Sequence, residues 1–262
     1  MDSMTGSGRA KDIRGLAEPD ATAPLNAVVD GDAAVVDAAG LTTRQINLEL
    51  RRLLYAGGVS EVTLLNPGAK HSIAVGLLTR CRIRIEGSLG YFGCGLADGP
   101  EIHIAGRVGW SVAENMMSGV IVIDKNAGSL TGAALRGGDL VVRGDVGART
   151  GIDQKGGTII VGGNTGSMTG FMMQRGRMII CGDAGPGLGD SMYDGQIYVG
   201  GKVAALGVDC VEAEMTPPDD ELIDRKFGIY GMTRPEEFRK FVCGKKLWNY
   251  DNLEPNERKL VL

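Results

Sequence analysis

Glycine returns along this chain with a fixed step. Gly90, Gly109, Gly128, Gly147, Gly166 and Gly185 each stand 19 residues after the one before. A second series runs Gly119, Gly138, Gly157, Gly176, Gly195, and a third runs Gly132, Gly151, Gly170, Gly189. A fourth runs Gly87, Gly106, Gly144, Gly163, Gly182, Gly201, broken once by Lys125. Apolar residues keep the same step: Ile83, Ile102, Ile121, Leu140, Ile159, Met178, Ile197, and two residues on Ile85, Ile104, Ile123, Val142, Val161, Ile180, Val199. Glycine and apolar columns in register over about seven repeats identify a repeat architecture.

Each repeat is too short for a strand–helix unit and carries no 3.6-residue apolar pattern. Its apolar residues sit two apart, as Leu140 and Val142 do, and turns rich in Gly, Asn and Asp follow. One coil of a parallel β-helix meets both conditions, so the chain is read as all-β, with about seven 19-residue rungs. Rungs stacked at about 4.8 Å make a rod roughly 30 Å long, lined inside by Ile, Val and Leu ladders. The glycine columns predict corners at positive φ. The column Asn126, Asp145, Asn164, Asp183 is read as further left-handed turn positions.

The flanks break the period. The expected layout is a disordered tail over 1–25, a small α/β N-terminal cap over 26–80, the solenoid over 81–212, and a helical and extended extension over 213–262. In the cap, "AVVDGDAAVVDAAG" (27–40) reads as a hairpin. "LTTRQINLELRRLLYAGG" then predicts a helix over 43–56, with Thr42 and Gln45 as a capping box, Ile46, Leu50, Leu53 and Leu54 as its apolar face, and Gly57 as its end. "EVTLLN" (61–66) reads as a strand feeding the first rung. Helices are predicted over 217–227 and 234–244. The tail "LWNYDNLEPNERKLVL" either caps the open end of the rod or wraps a partner.

With 43% hydrophobic residues among 262 the chain can bury a core. A net charge of −4 gives no basis for binding nucleic acid or an anionic membrane surface. No apolar run reaches the ~18 to 20 residues of a membrane span. Cys81, Cys94, Cys181, Cys210 and Cys243 are far apart, with no C-x-x-C. That spacing argues against a zinc or iron–sulfur cradle in this chain and suits reduced, packed thiols, so a cytoplasmic location is expected.

"LVVRGDVGARTGIDQKGG" (140–157) looks at first like a phosphate-binding loop, but no G-x-x-x-x-G-K-[ST] is present and no glycine motif opens a helix. His71 and His103 are the two histidines, read as capping or partner-facing residues in preference to a base or metal ligand. Asp124, Asp139, Asp145 and Asp183 are read as solvated turn carboxylates. Met116, Met117, Met168, Met172, Met173 and Met192, beside Phe171 and Tyr193, leave two readings open, an adaptable interface or core packing. No catalytic, cofactor-binding or metal-binding residue is assigned. On the outside, Arg143, Arg149 and Asp153 are where a partner would dock. A scaffold subunit fits these features better than a self-sufficient enzyme.

The repeats "GDVGARTG" (144–151) and "GNTGSMTG" (163–170) resemble the glycine-repeat β-helix domain of the glutamate synthase large subunit. The resemblance covers about residues 61–212, and "GWSVAENMMSGVIVI" and "GDSMYDGQIYVGG" are similar to its stand-alone versions. It implies a right-handed β-helix and a structural subunit of a three-protein complex, as in N-methylglutamate synthase. The other two members would be an amidotransferase-like subunit and an FMN-binding synthase subunit with an iron–sulfur cluster. This chain has Asp2 after Met1 where that amidotransferase class needs a cysteine, so the reactive halves would come from partner chains in a hetero-oligomer. The equivalent β-helix component of a formylmethanofuran dehydrogenase or formyltransferase/hydrolase complex is the alternative within the resemblance, and a stand-alone structural solenoid is the alternative outside it. A left-handed acyltransferase helix is disfavoured, because its 18-residue coil of hexapeptides is absent.

Overall fold

The computed structural model describes residues 27–245. The readings of 1–25 as a disordered tail and of "LWNYDNLEPNERKLVL" as a cap or wrap lie outside the described residues. The described residues form a β-solenoid of about seven turns with two helices. Its strands are β1 (Ala27–Asp30), β2 (Ala33–Asp37), β3 (Glu61–Leu65), β4 (Arg82–Glu86), β5 (Asp98–Ile104), β6 (Ser118–Ile123), β7 (Asp139–Val142), β8 (Lys155–Val161), β9 (Arg175–Ile180), β10 (Gln196–Val199), β11 (Cys210–Ala213) and β12 (Arg239–Cys243). They form one twelve-stranded sheet in the order β1 to β10, then β12, then β11. From β2 to β10 neighbours run parallel, and antiparallel pairs close both ends.

The 19-residue step appears in the pairing register from Ile83 to Ile197, and longer connections bring the strands at either end into the same columns. Ala34, Val62, Ile83, Ile102, Ile121, Leu140, Ile159, Met178, Ile197 and Phe241 lie side by side across ten strands. All ten are buried, as is the parallel column from Val36 to Val199. Each side chain stacks on its equivalent one rung away, which gives the ladder that columnar sequence requires.

The glycine columns divide into two kinds, which corrects the expectation that all of them mark left-handed corners. Gly119, Gly138, Gly157, Gly176 and Gly195, with Gly132, Gly151, Gly170 and Gly189, have positive φ. The other two columns from Gly106 onward do not. There the constraint is close approach: a Cβ on Gly147 would stand 2.5 Å from the Ser129 backbone nitrogen. The Asn/Asp column is also not left-handed. Its side chains form a hydrogen-bonded ladder instead, with Asp145 N donating to Asn126 Oδ1 (3.1 Å), Asn164 N to Asp145 Oδ1 (2.7 Å), Asp183 N to Asn164 Oδ1 (2.8 Å) and Lys202 N to Asp183 Oδ1 (2.7 Å).

At the corner opposite the sheet, left-handed residues come at alternate positions, as in Arg149, Gly151 and Asp153. Their amides point up and down the rod in turn. Arg149 N donates to Ser167 O and Asp153 N to Phe171 O on one neighbouring rung, while Gly151 N donates to Thr131 O on the other. The inner position of this corner narrows along the rod. Ala74, Cys94 and Ala113 fill it early, and then it must be glycine: a Cβ on Gly132 would lie 2.7 Å from Ile159 Cδ1. Thr131, Thr150 and Thr169 beside it are fully buried, each hydroxyl donating to the carbonyl three residues back.

Both ends are closed. Helix α1 (Thr43–Arg51) starts at the expected capping box, with Gln45 N donating to Thr42 Oγ1 and Thr42 N to Gln45 Oε1, and runs on into a π-helical turn over Arg52–Ala56. Gly57 ends that turn with ordinary negative φ, and Gly58 takes the left-handed position. Ile46, Leu50 and Leu53 plug the hollow of the first coil, and Asn47 ties down the Ser72 carbonyl and the Ala74 amide. At the far end the predicted helix over 234–244 is absent: Arg239–Cys243 is strand β12. The last parallel strand, β10, would otherwise expose its backbone groups, and pairing with β12 satisfies them. The Phe238 and Phe241 spacing suits a helix, but here Phe241 stacks on Ile197 inside.

Candidate functional site

The outer face of the sheet carries one column, Val35, Thr63, Arg84, His103, Val122, Val141, Ile160, Ile179, Tyr198 and Lys240, from β2 to β12. Helix α2 (Pro217–Tyr230) covers its second half. Ile223 and Phe227 form a separate buried cluster with Val141, Ile160, Ile179, Tyr198 and Phe238, and Phe227 meets Phe238 edge to face at 6.1 Å. The helix is anchored by Asp219, which is buried and accepts from Lys240 Nζ (2.8 Å), Tyr198 Oη (2.7 Å) and Thr216 Oγ1 (2.6 Å). Desolvation raises the carboxyl pKa, but these donors outweigh it and hold the group well below its ordinary 3.8.

The first half of that face is uncovered. A groove of about 570 Å³ lies over β2 to β6 and is lined by Val35, Thr63, Arg84, His103 and Val122. Ile229, on the last turn of α2 and 62% exposed, forms its end wall. Arg82 bridges Glu61 and Glu101 along one edge. At the α2 boundary a polar cluster closes the groove. His103 Nε2 and Asp124 Oδ1 are 3.0 Å apart, and Arg143 Nε lies 3.3 Å from the same oxygen. Asp139 accepts from Lys226 Nζ (2.6 Å) and Tyr230 Oη (2.5 Å). Burial, and then the bond to Asp139, push the Tyr230 phenol up.

Several expected surface residues are therefore committed within the fold. His103 is outward-facing, as the period-2 reading requires, but it is engaged by Asp124. Arg143 stays exposed but is engaged within the chain, its guanidinium joining Asp124 to the Tyr230 carbonyl (3.0 Å). Asp139 is no solvated turn carboxylate, because α2 covers it; Asp145 and Asp183 do lie on the exposed turn. Arg149 is exposed, and Asp153 accepts from Gln174 Nε2 (2.9 Å). The methionines divide: Met116, Met173 and Met192 are core, Met168 and Met172 are half-buried beside Phe171, and Met117 and Tyr193 are exposed.

A second exposed feature lies along the corner. His71, Tyr91 and Trp110, one per rung, stack at ring separations of 4.6 and 5.5 Å, and His71 Nδ1 accepts the Tyr91 amide (2.8 Å). Tyr91 and Trp110 remain exposed, as do Phe92, Leu96 and Met117 in the same coils. The ladder ends there because the next equivalents are Ser129, Ala148 and Ser167. His71 stands out in the sequence as one of two histidines; the stack does not, although 91 and 110 are one period apart.

The five cysteines are free thiols. Burial pushes Cys81 and Cys181 up to about 11 and Cys94 up to about 12. Among the described residues no three His, Cys, Asp or Glu side chains are grouped to hold a metal ion, and no helix is long and apolar enough to cross a membrane. What the site offers chemically is apolar contact area, aromatic edges and fixed charge pairs.

No protein-family model matches the chain. Over 221 residues it is 42% identical to Protein GlxC of Rhizobium meliloti (strain 1021), an alignment covering 83% of this chain and 96% of that protein.

Proposed function

The chain belongs to the same family as Protein GlxC, and on that premise we propose that it is the β-solenoid subunit of a glutamate-synthase-like complex. In this reading it performs no chemistry itself and holds an amidotransferase-like subunit and an FMN-binding synthase subunit in a fixed relation. The observation that carries the proposal is the exposed apolar corner of the first coils, where Tyr91, Phe92, Leu96, Trp110 and Met117 sit in solvent on a rigid backbone. Aromatic residues and methionine on a pre-organised surface are the usual anchors of a protein interface. N-methylglutamate synthase is the finer identity we favour, on the resemblance of "GWSVAENMMSGVIVI" to the stand-alone form.

Co-expression with an amidotransferase-like and an FMN-binding subunit of that class tests the proposal. The three should elute together, with flavin and iron–sulfur absorbance in the same peak. Trp110→Ala should weaken the assembly by about tenfold or more, the effect of losing an interface anchor, while leaving the melting temperature of the isolated subunit nearly unchanged. A chain that elutes as a monomer beside both candidates refutes the scaffold role. Assembly without turnover of methylamine and glutamate refutes only the finer identity.

A further inference from the structure

Cys210 and Cys243 are remote in sequence but directly opposite each other in the last strand pair of the sheet. We propose that they form a reversible dithiol–disulfide site, oxidised by low-molecular-weight disulfides, that clips the C-terminal cap onto the rod. The strand geometry carries this. Gly244 N donates to Asp209 O at 2.7 Å, one of the two bonds of a hydrogen-bonded pair, which puts the 209/244 position in that phase of the ladder. The next pair along an antiparallel ladder is the non-hydrogen-bonded kind, in which the Cα atoms approach to about 4.5 Å and the side chains are closest. That spacing lies inside the range a disulfide spans. Residues directly opposite also point to the same face, and here both cysteines turn toward the end of the core, Cys210 buried and Cys243 half-buried against it.

The surroundings give the two sulfurs different parts. Gly189 leaves room for Cys210, since a Cβ there would stand 2.7 Å from Sγ. Burial, with Cys243 next to it, pushes the Cys210 thiol up to about 11. Cys243 is reachable from solvent, its Sγ donates to the Lys245 carbonyl (3.3 Å), and the Lys245 ammonium sits close by on Asp209 (2.7 Å). Cys243 is therefore the attacking thiol. Its thiolate attacks one sulfur of a disulfide such as oxidised glutathione, a mixed disulfide forms, and one glutathione leaves as thiolate and takes up a proton. Cys210 then gives its proton to the second leaving glutathione as its sulfur displaces it from Cys243. The protein loses two electrons and two protons, and the reagent gains both as two thiols.

The closed bond would join the two ends of the segment that contains α2, because both the helix and the Asp219 anchor lie between Cys210 and Cys243 in the chain. Oxidation thus ties down the layer that covers β7 to β10 without altering any inner column.

The test uses the full chain. After incubation with oxidised glutathione and blocking of remaining thiols, intact mass should show two fewer alkylated cysteines than the five of the reduced protein. A protease digest should contain a Cys210–Cys243 cross-linked peptide, and the melting temperature should rise by roughly 5 °C. Cys210→Ser should stop at one glutathione adduct on Cys243, and Cys243→Ser should form no bond at Cys210. Five free thiols after exposure, a cross-link through any other cysteine, or a lower melting temperature in the oxidised form would each overturn the proposal. The wild-type thiol count decides the matter even if either serine variant fails to fold.

Discussion

The two halves of the outer sheet face share one backbone and one period, yet one is roofed and the other is open. In β4 and β5 the residues flanking the outward position alternate, "RIRI" and "EIHI", whereas β8 and β9 read "TIIV" and "RMII". A strand covered on both faces needs continuous apolar sequence, and one covered on a single face needs alternation. Val141, Ile160, Ile179 and Tyr198 are fully buried because α2 lies on them, while Val35 is 41% exposed and the groove stands over it. The same column position is core in one half and surface in the other, and the difference comes from the fourteen residues of α2 together with Phe238 beside them.

Matched substitutions break this comparison most severely. Ile160→Asp, which buries an unpaired charge beneath α2, should cost more than about 4 kcal/mol. Val35→Asp, at the equivalent position of the open half, should cost under about 1 kcal/mol. Urea unfolding midpoints of the two variants measure the contrast, and equal losses would mean the groove is not open. Phe227→Ala removes a buried ring from the roof and its contact with Phe238, and should cost about 3–4 kcal/mol. Proteolysis of that variant should cut first between β11 and β12, with the rungs still protected.

The charged anchors of the two halves should differ in the same direction. Asp219→Asn weakens three charge-assisted hydrogen bonds, two of them buried, and should cost about 2 kcal/mol at neutral pH. Because the Asp219 carboxyl is held below its unfolded value of 3.8, its contribution is complete above about pH 4 and is lost as the pH falls toward the lower folded value. The gap between wild type and variant should therefore close on acidification below about pH 4, as followed by thermal melts across that range. Asp124→Asn in the open half, where the contacts with His103 and Arg143 are about a third exposed, should cost under about 1 kcal/mol.

Much of this was readable from residues alone. The inner columns, the hairpin at 27–40, the capping box at Thr42 and the helix after Pro217 follow from spacing and cap chemistry, which act locally. The failures share a cause. Residues 234–244 carry helix-compatible spacing, but an unpaired sheet edge some forty residues earlier in the chain decides their conformation. Asn126 and Asp145 are good turn residues, yet the neighbouring rung supplies an amide for each side-chain oxygen, and a Cβ on Gly144 would stand 2.1 Å from Asn126 Oδ1. Periodicity also marks which residues stack without marking which outer faces are roofed. The committed states of Asp139 and Arg143, and the meeting of Cys210 with Cys243, depend on where the last segment folds back.

The alternating amides at Arg149, Gly151 and Asp153 have a mechanical consequence. Each coil is fastened to the one before and the one after at the same corner, so no rung can tilt without pulling both neighbours. The rod then works as a gauge block, with lengths available only in whole coils of about 4.8 Å. Two proteins gripping different coils are held at a separation fixed by the number of coils between them, and evolution can reset that separation only by adding or deleting whole coils, nineteen residues each along most of the rod.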